Sequence, residues 1–224
     1  MVGVSKRPKR ARLPPDARLC VDSGVALLQM LRYVCLALFV VLVLIVADAP
    51  FRTFGQKYDV NRLRERLILL TFELDLVALW VLAVFLFRWE RRLSPPGGEG
   101  ALAVAGLLVT LAGTTLAVWA RIRLGQWFTG TFGIKPGHLL VTDGPYGITR
   151  HPMYTGLLLM VLGAALTWNS VLTLLLAPLL AVPFFLHTVY EEAMFEQHFG
   201  AAYLDYQRRV PRLVPFARRG GPEE

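Results

Sequence analysis

The sequence predicts an all-α membrane protein, a bundle of about five transmembrane helices with a helical hairpin near its C-terminus. Of the 224 residues, 55% are hydrophobic and only 18% are charged, whereas soluble domains carry about 25% charged residues. The long apolar runs are a further indication, since about 20 such residues cross a hydrocarbon core. Together these observations exclude an intrinsically disordered chain, a collagen-like repeat and a coiled coil.

The first part of the chain is predicted to hold three membrane spans behind a basic tail. Residues 1–24 are polar and basic, and we expect a flexible tail. Apolar residues then fill 25–47, 67–87 and 101–120, so we assign residues 25–120 to three transmembrane helices. The first run is too long for the core of a secretory signal peptide, so we expect it to be retained.

The second predicted span contains two acidic residues, Glu73 and Asp75. Because residues two apart point to nearly opposite faces of a helix, at most one of them can line an internal cavity. Acids inside a membrane are candidates for function by default. A structural ion pair with Arg32 in the first span is an equally acceptable interpretation.

A single apolar stretch, residues 153–190, contains no Asp, Glu, Lys or Arg. As one helix it would be about 57 Å long, nearly twice the hydrocarbon thickness. It must therefore fold back, and the polar break is Trp168-Asn169-Ser170. We predict a tight helical hairpin at this break, with its second arm kinked at Pro178 and Pro183.

The distribution of positive charge predicts the orientation of the bundle. Residues 48–66, 121–150 and the C-terminal tail together carry more Lys and Arg than the segments on the other side, which places them in the cytoplasm. The basic N-terminal tail then falls outside, so an interfacial first segment remains an alternative. We interpret the net charge of +8 as an orientation signal and expect no nucleic-acid partner.

The segment before the hairpin carries residues suited to ligand binding. Pro152 favours a helix start, and a helix N-terminus offers N–H groups and a positive dipole end to an anion. Arg150 adds a planar fork for a carboxylate. At the other end of the hairpin, where we expect a tail to begin, Glu191 and Glu192 are adjacent. Such a pair is costly at a membrane boundary unless it is solvated or paired, and a cationic ligand or Arg150 would suit it.

The order and spacing of motifs at the two ends of the hairpin are specific. Those before and at its start are His138-Leu139, Val141-Thr142, Gly144-Pro145-Tyr146, Arg150-His151-Pro152, Tyr154 and Gly156. Those after it are Glu191-Glu192, Phe199-Gly200, Tyr203, Tyr206, Val210-Pro211 and Pro215. With them, residues 120–216 resemble the isoprenylcysteine carboxyl methyltransferase and phospholipid methyltransferase superfamily.

This resemblance implies an integral-membrane methyltransferase that uses S-adenosylmethionine without a Rossmann fold. Its cofactor pocket would face the cytoplasm, and its lipidic or small hydrophobic acceptor would enter from the bilayer between spans. Residues 121–216 would form the catalytic region, made of the cofactor loop, the hairpin 153–190 and a C-terminal helix. Residues 217–224 would be a flexible tail.

The resemblance also implies roles for individual residues. Arg150 and the helix start would hold the cofactor carboxylate, and Glu191 or Glu192 would face its ammonium group. Tyrosines and backbone groups of 138–141 would hold adenine. The implied cofactor-binding residues are His138, Leu139, Val141, Gly144, Tyr146, Arg150, His151, Tyr154, Glu191 and Glu192, and the catalytic candidates are Arg150, Glu192 and His187.

His187 departs from the pattern of the superfamily. Its carboxyl methyltransferases carry Arg five positions before the second Glu, where this chain has His187. A histidine binds a carboxylate less well than an arginine does. The substitution therefore argues against an isoprenylcysteine acceptor, which carries a carboxylate. His187 is then either a base for an amine or thiol acceptor or a packed histidine without a chemical role.

Other kinds of site and function fit the sequence less well. The four histidines show no metal-ligand spacing and two cysteines are too few for a metal or disulfide framework, so we expect no metal. An NADPH-dependent membrane sterol or steroid reductase is the alternative enzyme, although that family usually has Asn where this chain has Met153. A non-enzymatic membrane protein would leave the loop motif unexplained.

Overall fold

A computed structural model describes residues 24–41, 98–129 and 134–213, and these form helices and turns without a β-strand. The all-α prediction is therefore confirmed for this part of the chain. The predicted second span with Glu73 and Asp75, most of the basic tail and residues 217–224 lie outside it. The helices are α1 (Gly24–Val41), α2 (Glu99–Leu124), α3 (Pro152–Thr167), α4 (Val171–Phe199) and α5 (Ala201–Arg209), with 3₁₀ turns at Gly125–Trp127 and Gly144–Gly147.

Three of the described helices are long and apolar enough to cross a membrane: α1, α2 with the turn that follows it, and α4. This supports the prediction of an integral membrane protein. The remaining apolar helix, α3, has 16 residues and a length of about 24 Å, which is shorter than a hydrocarbon core. The count of five crossings includes a span outside the described residues.

The hairpin turns at Trp168-Asn169-Ser170, as predicted from the polar residues there. Helix α3 ends at Thr167 and α4 begins at Val171. Between them Asn169 adopts a left-handed conformation with φ of 57°, which Asn tolerates better than most residues. Ser170 caps α4, since its hydroxyl accepts a hydrogen bond from the N–H of Thr173 at 2.9 Å.

The second arm is longer than predicted. We expected a tail to begin at Tyr190-Glu191-Glu192, but α4 remains helical to Phe199. The physical reason is that Phe195 and Phe199, four residues apart, extend its apolar face and pack against the buried Tyr203 and its neighbours. The helix ends only at Gly200, which has φ of 55°. Glu191 and Glu192 are therefore held on a rigid element.

Helices α2 and α3 pack antiparallel along a glycine seam, which we define as Gly106, Gly113, Gly156 and Gly163. A Cβ on Gly113 would lie 2.5 Å from the carbonyl oxygen of Gly156, and a Cβ on Gly163 would lie 2.6 Å from that of Gly106. Small residues allow this close approach of helix backbones in membranes. Helix α1 joins at the same place, where Cys35 Sγ lies 3.5 Å from Thr110 Oγ1. The seam fixes the start of α3 beside the end of α2.

The loop between α2 and α3 is anchored at several points. The guanidinium of Arg123 forms an ion pair with Asp143, with Nε 2.9 Å from Oδ1. The ammonium of Lys135 donates to the carbonyl of Phe128 at 3.0 Å. Nearer to α3, the Tyr206 hydroxyl of α5 donates to the carbonyl of Tyr146 at 2.6 Å. These contacts bring the loop, the start of α3 and the C-terminal segment to one end of the bundle.

Candidate active site

The C-terminal segment is hydrogen-bonded to the start of α3, and we call residues 207–213 the C-terminal clamp. Four donors in residues 149–155 bind carbonyl oxygens of the last three residues of the clamp. They are the Arg150 N–H to Pro211 at 2.8 Å, the His151 N–H to Arg212 at 3.1 Å, the Thr149 hydroxyl to Arg212 at 2.7 Å and the Thr155 hydroxyl to Leu213 at 2.7 Å. The N–H groups of Arg150 and His151 are thus already engaged by the chain itself.

Arg150 lies beneath this clamp with a fully buried guanidinium. Its Nε donates to Glu192 Oε1 at 2.8 Å. Its Nη1 donates to the carbonyls of Gln207 at 2.8 Å and Val210 at 2.9 Å. Its Nη2 is buried and has no acceptor among the described residues. The sequence suggested either a cationic ligand or Arg150 as the partner of the two acids, and in the structure Arg150 pairs with Glu192.

Glu192 is the centre of these contacts and is only 2% exposed. Besides Arg150, its carboxylate meets His151 Nε2 at 3.1 Å and Gln207 Nε2 at 3.3 Å, and it forms an ion pair with Arg212 Nη2. A buried carboxylate requires such compensation, because an unpaired charge in the interior is strongly destabilising. Glu192 therefore joins α3, α4 and the clamp.

His151 bridges the two adjacent carboxylates. Its Nδ1 lies 3.2 Å from Glu191 Oε2 and its Nε2 lies 3.1 Å from Glu192 Oε1. Both ring nitrogens can donate only in the imidazolium form. Burial alone lowers the pKa of the His151 imidazole, but hydrogen bonds to Glu191 and Glu192 and their negative charges outweigh it and raise the pKa above its ordinary value. The Tyr154 hydroxyl also donates to Glu191, at 3.0 Å.

We refer to Arg150, His151, Glu191, Glu192 and Arg212 as the ion cluster. Its members come from the loop, α4 and the clamp, and their sequence separations reach 62 residues between Arg150 and Arg212. Within the cluster, the Glu191 side chain is 24% exposed, so it is the more accessible of the two carboxylates.

An aromatic layer lies beside this end of α4. The His138 ring stacks on Trp127 with centroids 5.1 Å apart, and it meets the rings of Phe195 and Phe199 edge-on. Its Nδ1 is buried and has no hydrogen-bond partner in the described part of the chain. Burial and the charges of His198 and Lys135 lower the pKa of the His138 imidazole, so the ring is neutral at neutral pH.

The remaining predicted residues lie along the loop and α4, outside the ion cluster. Leu139 is exposed, Val141 is half-buried and Gly144 has φ of 61° at the start of a turn. Tyr146 is buried with its hydroxyl directed at the carbonyl of Ala120, and burial raises its pKa. His187 is buried in α4, five residues before Glu192.

Sequence reasoning missed two contributors, Gln207 and Arg212. In the structure the guanidinium of Arg212 reaches Glu192, whereas the sequence shows Arg212 only as one of several arginines near the C-terminus. The usable signal was its position directly after Val210-Pro211 in the recognised pattern. Among the described residues, no group of three His, Cys, Asp or Glu side chains is placed to hold a metal.

Comparison with known proteins gives a consistent result. A family model described as phospholipid methyltransferase matches residues 102–202. The chain is 35% identical to protein-S-isoprenylcysteine O-methyltransferase B of Arabidopsis thaliana over 50% of this chain and 58% of that protein. It is also 35% identical to protein-S-isoprenylcysteine O-methyltransferase of Schizosaccharomyces pombe, over 43% of this chain and 42% of that protein. The chain thus spans about half the length of the curated relatives it matches.

A solved structure of the eukaryotic intramembrane Ras methyltransferase ICMT, isoprenylcysteine carboxyl methyltransferase, overlaps with a TM-score of 0.49 and 26% identity, covering 70% of this chain and 55% of that one. The region matched by the family model contains both the Arg150-His151-Pro152 and the Glu191-Glu192 motifs. Through this region the chain is similar to the isoprenylcysteine carboxyl methyltransferases and to the phospholipid methyltransferase family.

Proposed function

We propose that this protein is an integral-membrane enzyme that transfers a methyl group from S-adenosylmethionine to a lipidic or small hydrophobic acceptor. The observation that carries this proposal is the ion cluster, which joins the Arg-His-Pro and Glu-Glu motifs within the region matched by a phospholipid methyltransferase model. The relatives named as O-methyltransferases support the same reaction class. In this proposal residues 121–216 are the catalytic region.

The donor groups at this end of the bundle fit S-adenosylmethionine, whose chemical groups are a carboxylate, an ammonium, a sulfonium and an adenine. The buried Nη2 of Arg150, which has no acceptor among the described residues, would bind the carboxylate. Glu191, the accessible carboxylate of the cluster, would bind the ammonium. The stacked rings of His138 and Trp127 offer an aromatic surface for adenine.

The remaining residues of the cluster orient these groups. Glu192 holds Arg150 and His151 in position through hydrogen bonds of 2.8 and 3.1 Å, and His151 holds Glu191. When bound, S-adenosylmethionine would supply a methyl carbon bonded to a sulfonium sulfur. The bond between this carbon and the sulfur breaks as the acceptor takes the methyl group, and the sulfur becomes a neutral thioether. The protein then contributes the geometry of approach and the exclusion of water.

The orientation and the route of the acceptor are further parts of the proposal. An excess of Lys and Arg on the loops at this end favours a cytoplasmic site. A hydrophobic acceptor would reach it from the bilayer, along the apolar exposed faces of the spans. His187 is buried and engaged in a contact within the protein, so a role as a base would require it to give up part of that environment.

The proposal is tested with purified full-length protein in lipid nanodiscs. Calorimetric titrations with S-adenosylmethionine and, separately, with NADPH should show that the protein binds S-adenosylmethionine and not NADPH. Binding should fall in Arg150→Gln and persist in Arg208→Gln, since Arg208 is an exposed arginine of α5 that pairs with Asp205. Labelled methyl groups should pass to at least one of four acceptors: a prenylcysteine, phosphatidylethanolamine, a fatty acid or a thiol. Binding of NADPH alone, with no methyl transfer, would instead support the reductase alternative.

A further inference from the structure

Arg212 links the buried ion cluster to the apolar surface of α4. Its Nη2 pairs with Glu192 Oε2, and its guanidinium carbon lies 5.1 Å from the centroid of the Phe185 ring. Phe185 is 48% exposed and lies within the apolar, membrane-spanning helix α4. One side chain thus contacts both the charged site and a surface that faces the route proposed for a hydrophobic acceptor.

Arg212 is also more accessible than the other arginine of the cluster. Its side chain is 22% exposed, whereas that of Arg150 is fully buried. A guanidinium has five N–H donors. In Arg212 one nitrogen is used on Glu192, while the buried Nε has no acceptor in the part of the chain that the structure describes. Arg212 therefore has donor capacity left for a second carboxylate.

The charge balance of the cluster favours an anionic acceptor. With His151 held as an imidazolium between two carboxylates, the cluster holds one more cation than it holds carboxylates. Glu196, which binds Gln207 nearby, is exposed to solvent, where its charge is screened. The amino-acid part of S-adenosylmethionine is zwitterionic, so it leaves this excess unchanged, and the sulfonium adds to it. Beside Arg212, an acceptor that carries a positive charge would therefore be repelled and an acceptor that carries a carboxylate would be attracted.

We infer that Arg212 is a specificity-determining residue that binds the carboxylate of an amphiphilic methyl acceptor. The inference rests on the proposed methyltransferase function and deepens it. Arg212 from the clamp would hold the acceptor carboxylate, while the apolar part of the acceptor lies along α4 beside Phe185. A carboxylate is deprotonated at neutral pH and needs no general base, so His187 has no proton to accept in this reaction.

The test measures selectivity for charge, using N-acetyl-S-farnesylcysteine as acceptor and its carboxamide as competitor. Wild-type protein should bind the acid about tenfold more tightly than the amide, as expected for one charge-assisted hydrogen-bonded pair. Arg212→Gln should raise the KM of the acid about tenfold and bring the two affinities to within about twofold. Arg212→Lys keeps the positive charge but not the planar guanidinium that binds a carboxylate through two N–H groups, and it should restore part of the selectivity.

Two controls separate this role from a structural one. Arg208→Gln should leave both affinities unchanged, and the KM for S-adenosylmethionine should change much less than the acceptor KM in Arg212→Gln. An unchanged ratio of acid to amide affinity in Arg212→Gln would overturn the inference, as would methylation of phosphatidylethanolamine or a thiol but of no carboxylate by the wild type. If the wild type neither binds S-adenosylmethionine nor methylates any acceptor, the proposed function itself fails.

Discussion

Glu192 shows at the scale of single residues how this site is stabilised. It lies in a largely apolar helix, yet its carboxylate meets donors from Arg150, His151, Gln207 and Arg212. Removal of one partner from a buried ion pair typically costs about 3–5 kcal/mol, because the remaining charge is left uncompensated. Substitutions in this cluster are therefore expected to lower stability as well as the proposed ligand binding, and variants at these positions need a measurement of each.

His151 should make stability depend on pH. Its pKa is raised in the folded protein, so its contribution is fully present below the pKa of the unfolded chain and is lost as the pH rises through the folded pKa. Above that pH the ring donates from one nitrogen only, and one carboxylate loses a charge-assisted hydrogen bond worth about 2 kcal/mol. The thermal midpoint of the wild type should therefore decrease toward alkaline pH.

The matched variant for this measurement is His151→Gln, whose side chain has similar reach but does not titrate. Scanning fluorimetry should be carried out from acidic to alkaline pH. The difference in thermal midpoint between wild type and variant should be nearly constant at acidic pH and should shrink as His151 loses its proton. A constant difference at every pH would contradict the assignment of His151 as an imidazolium.

At the scale of elements, the glycine seam makes the position of α3 sensitive to small changes. Gly113→Ala would place a Cβ 2.5 Å from the carbonyl oxygen of Gly156, so the helices must separate. We expect a loss of about 1–3 kcal/mol, typical of overpacking. In the same helix, Gly100→Ala meets no atom within 4 Å and should be neutral or slightly stabilising. Thermal unfolding of the two variants compares them directly, and equal midpoints would contradict the role of the seam.

The elements also show what could be predicted from sequence and what could not. The turn at 168–170 could be predicted from a physical limit. The charge-free stretch 153–190 is too long to cross a bilayer as a single helix, so it must fold back. The glycine seam was missed, although seven-residue spacing in both helices, from Gly106 to Gly113 and from Gly156 to Gly163, was visible. The pairing of Arg212 with Glu192 was not predictable, because a sequence shows charges but not which of several acids an arginine meets.

At the scale of the whole molecule, the clamp makes the site depend on residues far along the chain. Its carbonyls accept hydrogen bonds from Arg150, His151, Thr149 and Thr155, and its Arg212 pairs with Glu192. A chain that ends after residue 206 should therefore unfold at lower temperature and, under the proposed function, should lose S-adenosylmethionine binding. A chain that ends after residue 216 should retain both, as the predicted boundary of the catalytic region requires. Equal calorimetric binding by the two would contradict the role of the clamp.

The clamp also has a consequence for the order of events during biosynthesis. The ribosome delivers Arg150 first, then Glu191 and Glu192, and Arg212 last, so most of the cluster is synthesised before its final cation exists. During that interval Glu192 lacks both Arg212 and the carbonyls that hold Arg150. A nascent chain therefore has no complete ion cluster until synthesis has passed the clamp.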